Sequence, residues 1–228
     1  MTGDPLGSAA PRVRNVAIAS GPTNLDGTLT LPANATGVVL FAHGSGSSRH
    51  SPRNTFVAGV LNAAGIGTLL FDLLTSTEDR YYQTRFDIAL LTSRLLAATG
   101  WARNDADATH LPLGYFGAST GAAAALAAAA VPGNDIAAVV SRGGRPDLAG
   151  ADALARVTAP TLLIVGGRDD VVIDLNRAAH AHLRCEKRLT IVPGATHLFE
   201  EPGTLEEVAA AASAWFLHWL ALSPSAPR

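Results

Sequence analysis

Short apolar runs rich in β-branched residues recur along this chain, and most are separated by stretches long enough for a helix. That spacing builds a parallel sheet whose strands are joined by crossover helices. The runs are Val16–Ala19, Thr28–Leu31, Gly37–Ala42, Thr68–Asp72, Leu113–Gly117, Ala137–Ser141, Thr161–Val165 and Arg188–Val192, which makes eight candidate strands. Only the Gly/Pro/Asn segment SGPTNLDG lies between the first two, so they are expected to pair as an antiparallel hairpin at one edge. Helical spacing of apolar residues covers 54–64, 84–99, 120–131, 147–155, 174–183 and 205–222, with Gly65, Gly100 and Gly133 as stop signals after three of them. The expectation is one α/β domain over 1–228, with frayed ends at 1–12 and 223–228. No insertion is long enough to make a lid domain.

With 48% apolar and 16% charged residues, the composition suits a sheet covered on both faces. A formal net charge of -2 and the lack of any Lys/Arg run argue against nucleic acid or an anionic membrane as partner. Cys185 is the sole cysteine, which rules out an intrachain disulfide and multi-cysteine zinc sites. The start, MTGDPLGSAAPR, lacks a basic stretch followed by an apolar core, so cytoplasmic residence is expected.

In a sheet of this kind ligands bind beyond the carboxyl ends of the strands. One of those ends reads GYFGASTGAAAA, Gly114 to Ala125, with a lone serine between two glycines. A nucleophile elbow needs this pattern, because the sharp strand-to-helix turn holds the serine at strained backbone angles and bulky neighbours two positions away would clash. Gly117 and Gly121 clear the turn, and the alanines after them let the next helix press against the sheet. The G-x-S-x-G match alone proves little; its weight comes from the strand before it and the helix after it.

A serine hydroxyl is a poor nucleophile at neutral pH and needs a base, with an acid to orient that base. His197, in the loop PGATHLFEEPG after the last strand, is the candidate base; His110, His180, His182 and His218 lie on helices or at the wrong end of the sheet. The loop after the penultimate strand offers Asp169 and Asp170. Two glycines before Asp169 permit a turn that carries its side chain across the sheet top, while Asp170 is better placed to cap the following helix. Acyl transfer also needs two donors for the developing oxyanion; Thr120 N–H is one, and the loop HGSGSS after the third strand supplies the other. That loop lacks the glycine and lysine patterns of nucleotide-binding loops, and His43 and His50 have no carboxylate at ligand spacing, so neither cofactor nor metal is expected.

Taken together and in this order, HGSGSSRHSPRN, GYFGASTGAAAAL, VGGRDDVV and PGATHLFEEPG resemble the α/β-hydrolase superfamily over almost the whole chain, and most of all its small, lidless members related to dienelactone hydrolases. The resemblance implies an α/β-hydrolase fold, a mostly parallel eight-stranded sheet with the hairpin at its edge and helices on both faces. It also implies Ser45 as second oxyanion donor, with Gly44 as the alternative, and His43 as a loop brace. Dienelactone hydrolases proper carry cysteine in the elbow, where this chain has Ser119, so the resemblance points to general carboxyl-ester chemistry.

Arg49, Arg142 and Arg145, together with Tyr81, are the candidate substrate contacts, though loop arginines more often brace through nearby Asp and Glu. The expected partner is a small-molecule ester: small or medium acyl esters, aryl esters or lactones, with thioesters and amides as the enzymatic alternative. A binding protein that keeps the fold without the chemistry is the alternative of another class. Homodimer formation is left open.

Overall fold

A computed structural model describes residues 10–223. Eight strands form one sheet in the order β1 (Arg12–Ser20), β2 (Thr23–Leu31), β4 (Gly67–Phe71), β3 (Val38–Ala42), β5 (Leu113–Ala118), β6 (Ala138–Arg142), β7 (Thr161–Gly166) and β8 (Lys187–Val192). β1 pairs antiparallel with β2, and β2 antiparallel with β4, while every pairing from β4 to β8 is parallel.

Six α-helices cover the sheet: α1 (Pro52–Ala63), α2 (Ile88–Asn104), α3 (Thr120–Ala129), α4 (Ala151–Arg156), α5 (Asp170–His182) and α6 (Thr204–Leu222). α1 and α6 pack together on one face, over a core that includes Phe41, Phe116, Val140 and Phe216. The other four lie on the opposite face, over Leu40, Tyr115, Leu126 and Leu163. The two faces follow from strand alternation, since Leu40 and Tyr115 point one way and Phe41 and Phe116 the other. β3, β5 and β7 are buried at every residue, as central parallel strands covered on both sides must be.

The hairpin is present, but its turn is shorter than the sequence suggested. The chain reverses at Gly21–Pro22, with Gly21 at φ 59°, and Thr23–Gly27 is already strand rather than loop. The threonines and the Leu25/Leu29 alternation carry β2 through Asn24 and Asp26, which local turn propensity alone would have placed in a loop. At the chain start Arg12 pairs with Leu31 and bonds Asp107, so the expected fraying does not reach it; the rest of that expectation, 1–9 and 224–228, lies outside the described residues. Gly100 does not stop α2, which runs on to Asn104, whereas Gly65 and Gly133 follow their helices at φ 81° and 77°. The expected helix at 147–155 divides at Gly150 into a 3₁₀ turn (Pro146–Ala149) and α4.

Between β4 and α2 the chain makes only two single 3₁₀ turns, Glu78–Arg80 and Thr84–Phe86. Among the described residues no helix is long and apolar enough to cross a membrane. Beneath α2 and α3, the fully buried Tyr115 hydroxyl pairs with Thr99 Oγ1 at 2.6 Å and accepts from Asn134 Nδ2 at 3.0 Å, tying β5 to α2 and to the loop that follows α3. Tyr115→Phe should lower the unfolding free energy by about 1–3 kcal/mol, since it strands a buried amide donor; urea denaturation of the two proteins measures the difference.

Candidate active site

α3 consists almost wholly of alanine and is buried at nine of its positions, so it lies flat against the sheet. A Cβ on Gly121 would sit 2.1 Å from Ala42 O, and one on Gly117 would sit 2.4 Å from Ala122 Cα. Neither backbone can yield that distance, so only glycine fits. The turn between the two glycines holds Ser119 at φ 50°, ψ -119°, one of two non-glycine residues with positive φ among the described residues. Strain of this kind persists where the surroundings over-determine it. Here Ser119 N–H donates to Arg142 O at 3.3 Å, and Ser119 O accepts from Arg145 N–H and Ala122 N–H at 3.1 Å each.

The Ser119 hydroxyl does not cap α3. Thr120 begins that helix, so helix geometry leaves its N–H free, and the helix dipole adds positive potential at the same point. Gly44 runs beside the serine, a Cβ there lying 3.1 Å from Ser119 Cβ, while Ser45 is exposed. Gly44, Ser45 and Thr120 share the wall of a cavity of about 10 Å³, room for about one water, completed by residues that include Leu74, Asp79 and Arg85.

His43 fixes this loop. Its Nδ1–H donates to Gly44 O at 3.0 Å and its Nε2 accepts from Leu73 N–H at 3.0 Å, which specifies the neutral ring and one tautomer. Burial lowers its pKa, outweighing the opposing effects of the Gly44 carbonyl and of the Asp72 and Asp79 carboxylates.

His197 Nδ1 bonds Asp169 Oδ2 at 2.6 Å. The sequence brings them together through close backbone contact: a Cβ on Gly166 would lie 2.5 Å from both Ala195 O and Thr196 O, so the end of β7 tucks against the His197 loop. Asp169 N–H closes the turn onto Gly166 O at 3.1 Å. Asp169, rather than Asp170, occupies the N-cap position of α5, yet its carboxylate makes no cap bond and turns to His197; Asp170 is the first helical residue. Glu201 accepts Thr196 N–H at 3.0 Å and steadies the loop from its far side.

The segment 142–145 joins the two halves of the site. Its backbone bonds Ser119, and a Cβ on Gly143 would lie 3.6 Å from His197 Cε1. Among the described residues no hydrogen bond links Ser119 Oγ to His197, and such contacts are often long before substrate binds.

Two of the candidate substrate arginines already hold carboxylates. Arg49 bonds Asp72 through its backbone N–H, at 2.8 Å, and through its guanidinium; Arg145 grips Asp147 bidentately at 2.9 and 2.7 Å. Both have the bracing role that loop arginines commonly take. Tyr81 is 64% exposed, next to Tyr82, whose ring centre lies 4.8 Å from that of Phe86 at a tilt of 40°. Arg142 is buried without a carboxylate partner among the described residues.

Sequence reasoning missed Asn176, fully buried on α5, whose Nδ2 donates to Gly144 O at 3.0 Å and supports the 142–145 segment. A polar residue on the apolar face of a helix was the available signal. A larger cavity, about 720 Å³, opens at the opposite end of the sheet beside Leu113 and Ala137. Volume alone would favour it as the ligand site, but it holds none of these groups and lies at the amino ends of β5 and β6.

No protein-family model matches the chain. It is 56% identical to a dienelactone hydrolase from Anabaena variabilis, whose crystal structure superposes with a TM-score of 0.89 over 92% of this chain and 98% of that one. The chain therefore belongs to the dienelactone hydrolase family of α/β-hydrolases. Est1E from Butyrivibrio proteoclasticus, at 17% identity, shares the fold with a TM-score of 0.78 over 91% of this chain and 99% of that one. A Mycobacterium tuberculosis protein provisionally named a phosphoribosyl transferase is 59% identical over 215 residues, which are 93% of this chain but 48% of that protein. The chain thus spans about half the length of the curated relatives it matches.

His43 gives this site a pH signature in stability. Its folded-state pKa lies below the unfolded value of about 6.5, so the unfolded chain binds a proton that the folded protein excludes. The unfolding free energy should hold above that value and fall by about 1.4 kcal/mol per pH unit below it, until the folded-state pKa is reached. Urea denaturation from pH 8 to pH 5 measures this slope, and His43→Gln should reduce it, leaving the share of His180, whose pKa burial and Lys187 also lower.

Proposed function

We propose that the protein is a serine hydrolase that cleaves carboxylic esters through an acyl-enzyme. The observation that carries this reading is the 2.6 Å His197–Asp169 bond together with a serine held at φ 50°, both in contact with segment 142–145. His197 Nε2 removes the Ser119 hydroxyl proton while Oγ attacks the ester carbonyl. Asp169 fixes the tautomer and stabilises the imidazolium that forms. The oxyanion is held by Thr120 N–H and by an N–H of the Gly44–Ser45 segment, both walls of the small cavity. Collapse expels the alcohol with the proton from His197, and water activated by the same imidazole then frees the acid.

Small or medium acyl esters, aryl esters and lactones fit best, because the cavity beside Ser119 is only about 10 Å³ and, among the described residues, the chain between β4 and α2 forms only short 3₁₀ turns rather than a lid helix. Thioesters and activated amides would follow the same steps. All three chemical roles are filled, which favours an enzyme over a binding protein that has lost its chemistry. The transferase name belongs to a protein about twice as long, and the loop beside Ser119 lacks the features of a nucleotide-phosphate cradle.

Stopped-flow mixing with p-nitrophenyl butyrate should give a burst of p-nitrophenol, absent from Ser119→Ala. Asp169→Asn should lower kcat by about 10⁴ through the wrong imidazole tautomer. A folded wild-type protein without turnover, or Ser119→Ala turning over normally, would remove the reading. Across a series of acyl lengths, short chains should outperform those above about ten carbons, and the reverse order would contradict an open, lidless site.

A further inference from the structure

Thr120 is the first residue of α3, directly after Ser119, and it is only 1% exposed. In the hydrolase reading, on which this inference rests, its backbone N–H serves the oxyanion, and its hydroxyl has no role. That hydroxyl is nevertheless unusual: Thr120 Oγ1 is buried and has no hydrogen-bond partner among the described residues. A threonine inside a helix can bond the carbonyl three or four residues back. From Thr120 those residues are Gly117 and Phe116, which lie in β5, so the usual local partner is missing.

Thr120 lines the cavity of about 10 Å³ beside the Gly44 loop, room for about one oxygen atom of water size. The other polar side chains around it are engaged or exposed. His43 uses both ring nitrogens, Arg85 donates to Asp79 O through Nε at 2.7 Å and to the Asp79 carboxylate through NH2 at 3.2 Å, and Ser45 is exposed. Leu74 and Leu91 add apolar surface. Among the described residues, the Thr120 hydroxyl is therefore the one buried side-chain group of this wall left without a partner. A buried hydroxyl in that state costs stability that an apolar side chain of the same shape would recover, and it persists where a ligand satisfies it.

We propose that the Thr120 hydroxyl is a third donor to the oxyanion, beside its own N–H and the N–H of the Gly44–Ser45 segment. The two donors of Thr120 are joined through Cα and Cβ alone and converge on a single oxygen. As Ser119 Oγ bonds to the ester carbon and its proton passes to His197 Nε2, the carbonyl π electrons move onto that oxygen. Thr120 binds the resulting anion without giving up a proton, and releases it as the carbonyl reforms and the alcohol leaves. Because the ester carbonyl carries less charge than the oxyanion, the hydroxyl acts on turnover more than on substrate binding.

Thr120→Val removes the hydroxyl at constant shape, and Thr120→Ser keeps it. With p-nitrophenyl butyrate, Thr120→Val should lower kcat by about a hundredfold with little change in KM, while Thr120→Ser should retain most of the wild-type kcat. A butyl trifluoromethyl ketone, which adds to an activated serine as a tetrahedral oxyanion, should bind Thr120→Val more weakly by about the same factor. Thermal unfolding of the full chain should show Thr120→Val at least as stable as wild type, the reverse of what a structural hydroxyl would give. Wild-type kcat and inhibitor affinity in Thr120→Val would overturn the third donor and leave the hydrolase reading standing. So would a loss of both Tm and activity in Thr120→Val that Thr120→Ser shares. A wild-type protein that turns over no acyl ester and binds no trifluoromethyl ketone would overturn both.

Discussion

A helix that must lie within contact of the sheet backbone, with no side chain between them, sets the geometry at the top of this molecule. The Gly121 Cα leaves no room for a Cβ against Ala42 O and His43 O, and Gly117 leaves none against Ala122. Because α3 sits this close, the chain between the two glycines has to turn sharply, and Ser119 takes up the strain at φ 50°. The half-buried position of Ser119, the free Thr120 N–H and the nearness of the Gly44 loop all follow from that approach.

The same device recurs at the other half of the site. Gly166 lets the end of β7 touch the backbone of 195–196, which brings Asp169 within 2.6 Å of His197. The carboxylate thereby forgoes the helix cap that its position would otherwise give it. Segment 142–145 then bonds Ser119 on one side and packs on His197 on the other, so the two halves share one piece of backbone. His43, Glu201 and Asn176 each hold one loop without contributing to the chemistry themselves.

Much of this is local and therefore legible in the sequence. Strand runs, the G-x-S-x-G turn and the paired glycines before Asp169 are short-range patterns with one steric meaning each, and they placed the parallel strands and the serine, imidazole and carboxylate loops where the chain has them. What the sequence hid depends on distant partners. The residues of β2 resemble a turn until β1 and β4 pair with them along their length. Gly100 reads as a stop, yet α2 continues because Ala98, Thr99 and Ala102 are buried against the core. Arg49, Arg142 and Arg145 look alike in sequence; two find carboxylates and the third does not, a difference set by which carboxylates the fold brings within reach.

Membership of the dienelactone hydrolase family agrees with the sheet order and with the loops at its carboxyl end, and the serine in the elbow is the feature on which the proposed chemistry turns. A fluorophosphonate probe tests that chemistry independently of any substrate, because it reacts with a serine only when a base has activated it. Intact-mass measurement and peptide mapping should show one phosphonyl adduct, located on Ser119 and slowed severely by His197→Ala. No adduct on the folded protein, or an adduct at another residue, would contradict the account.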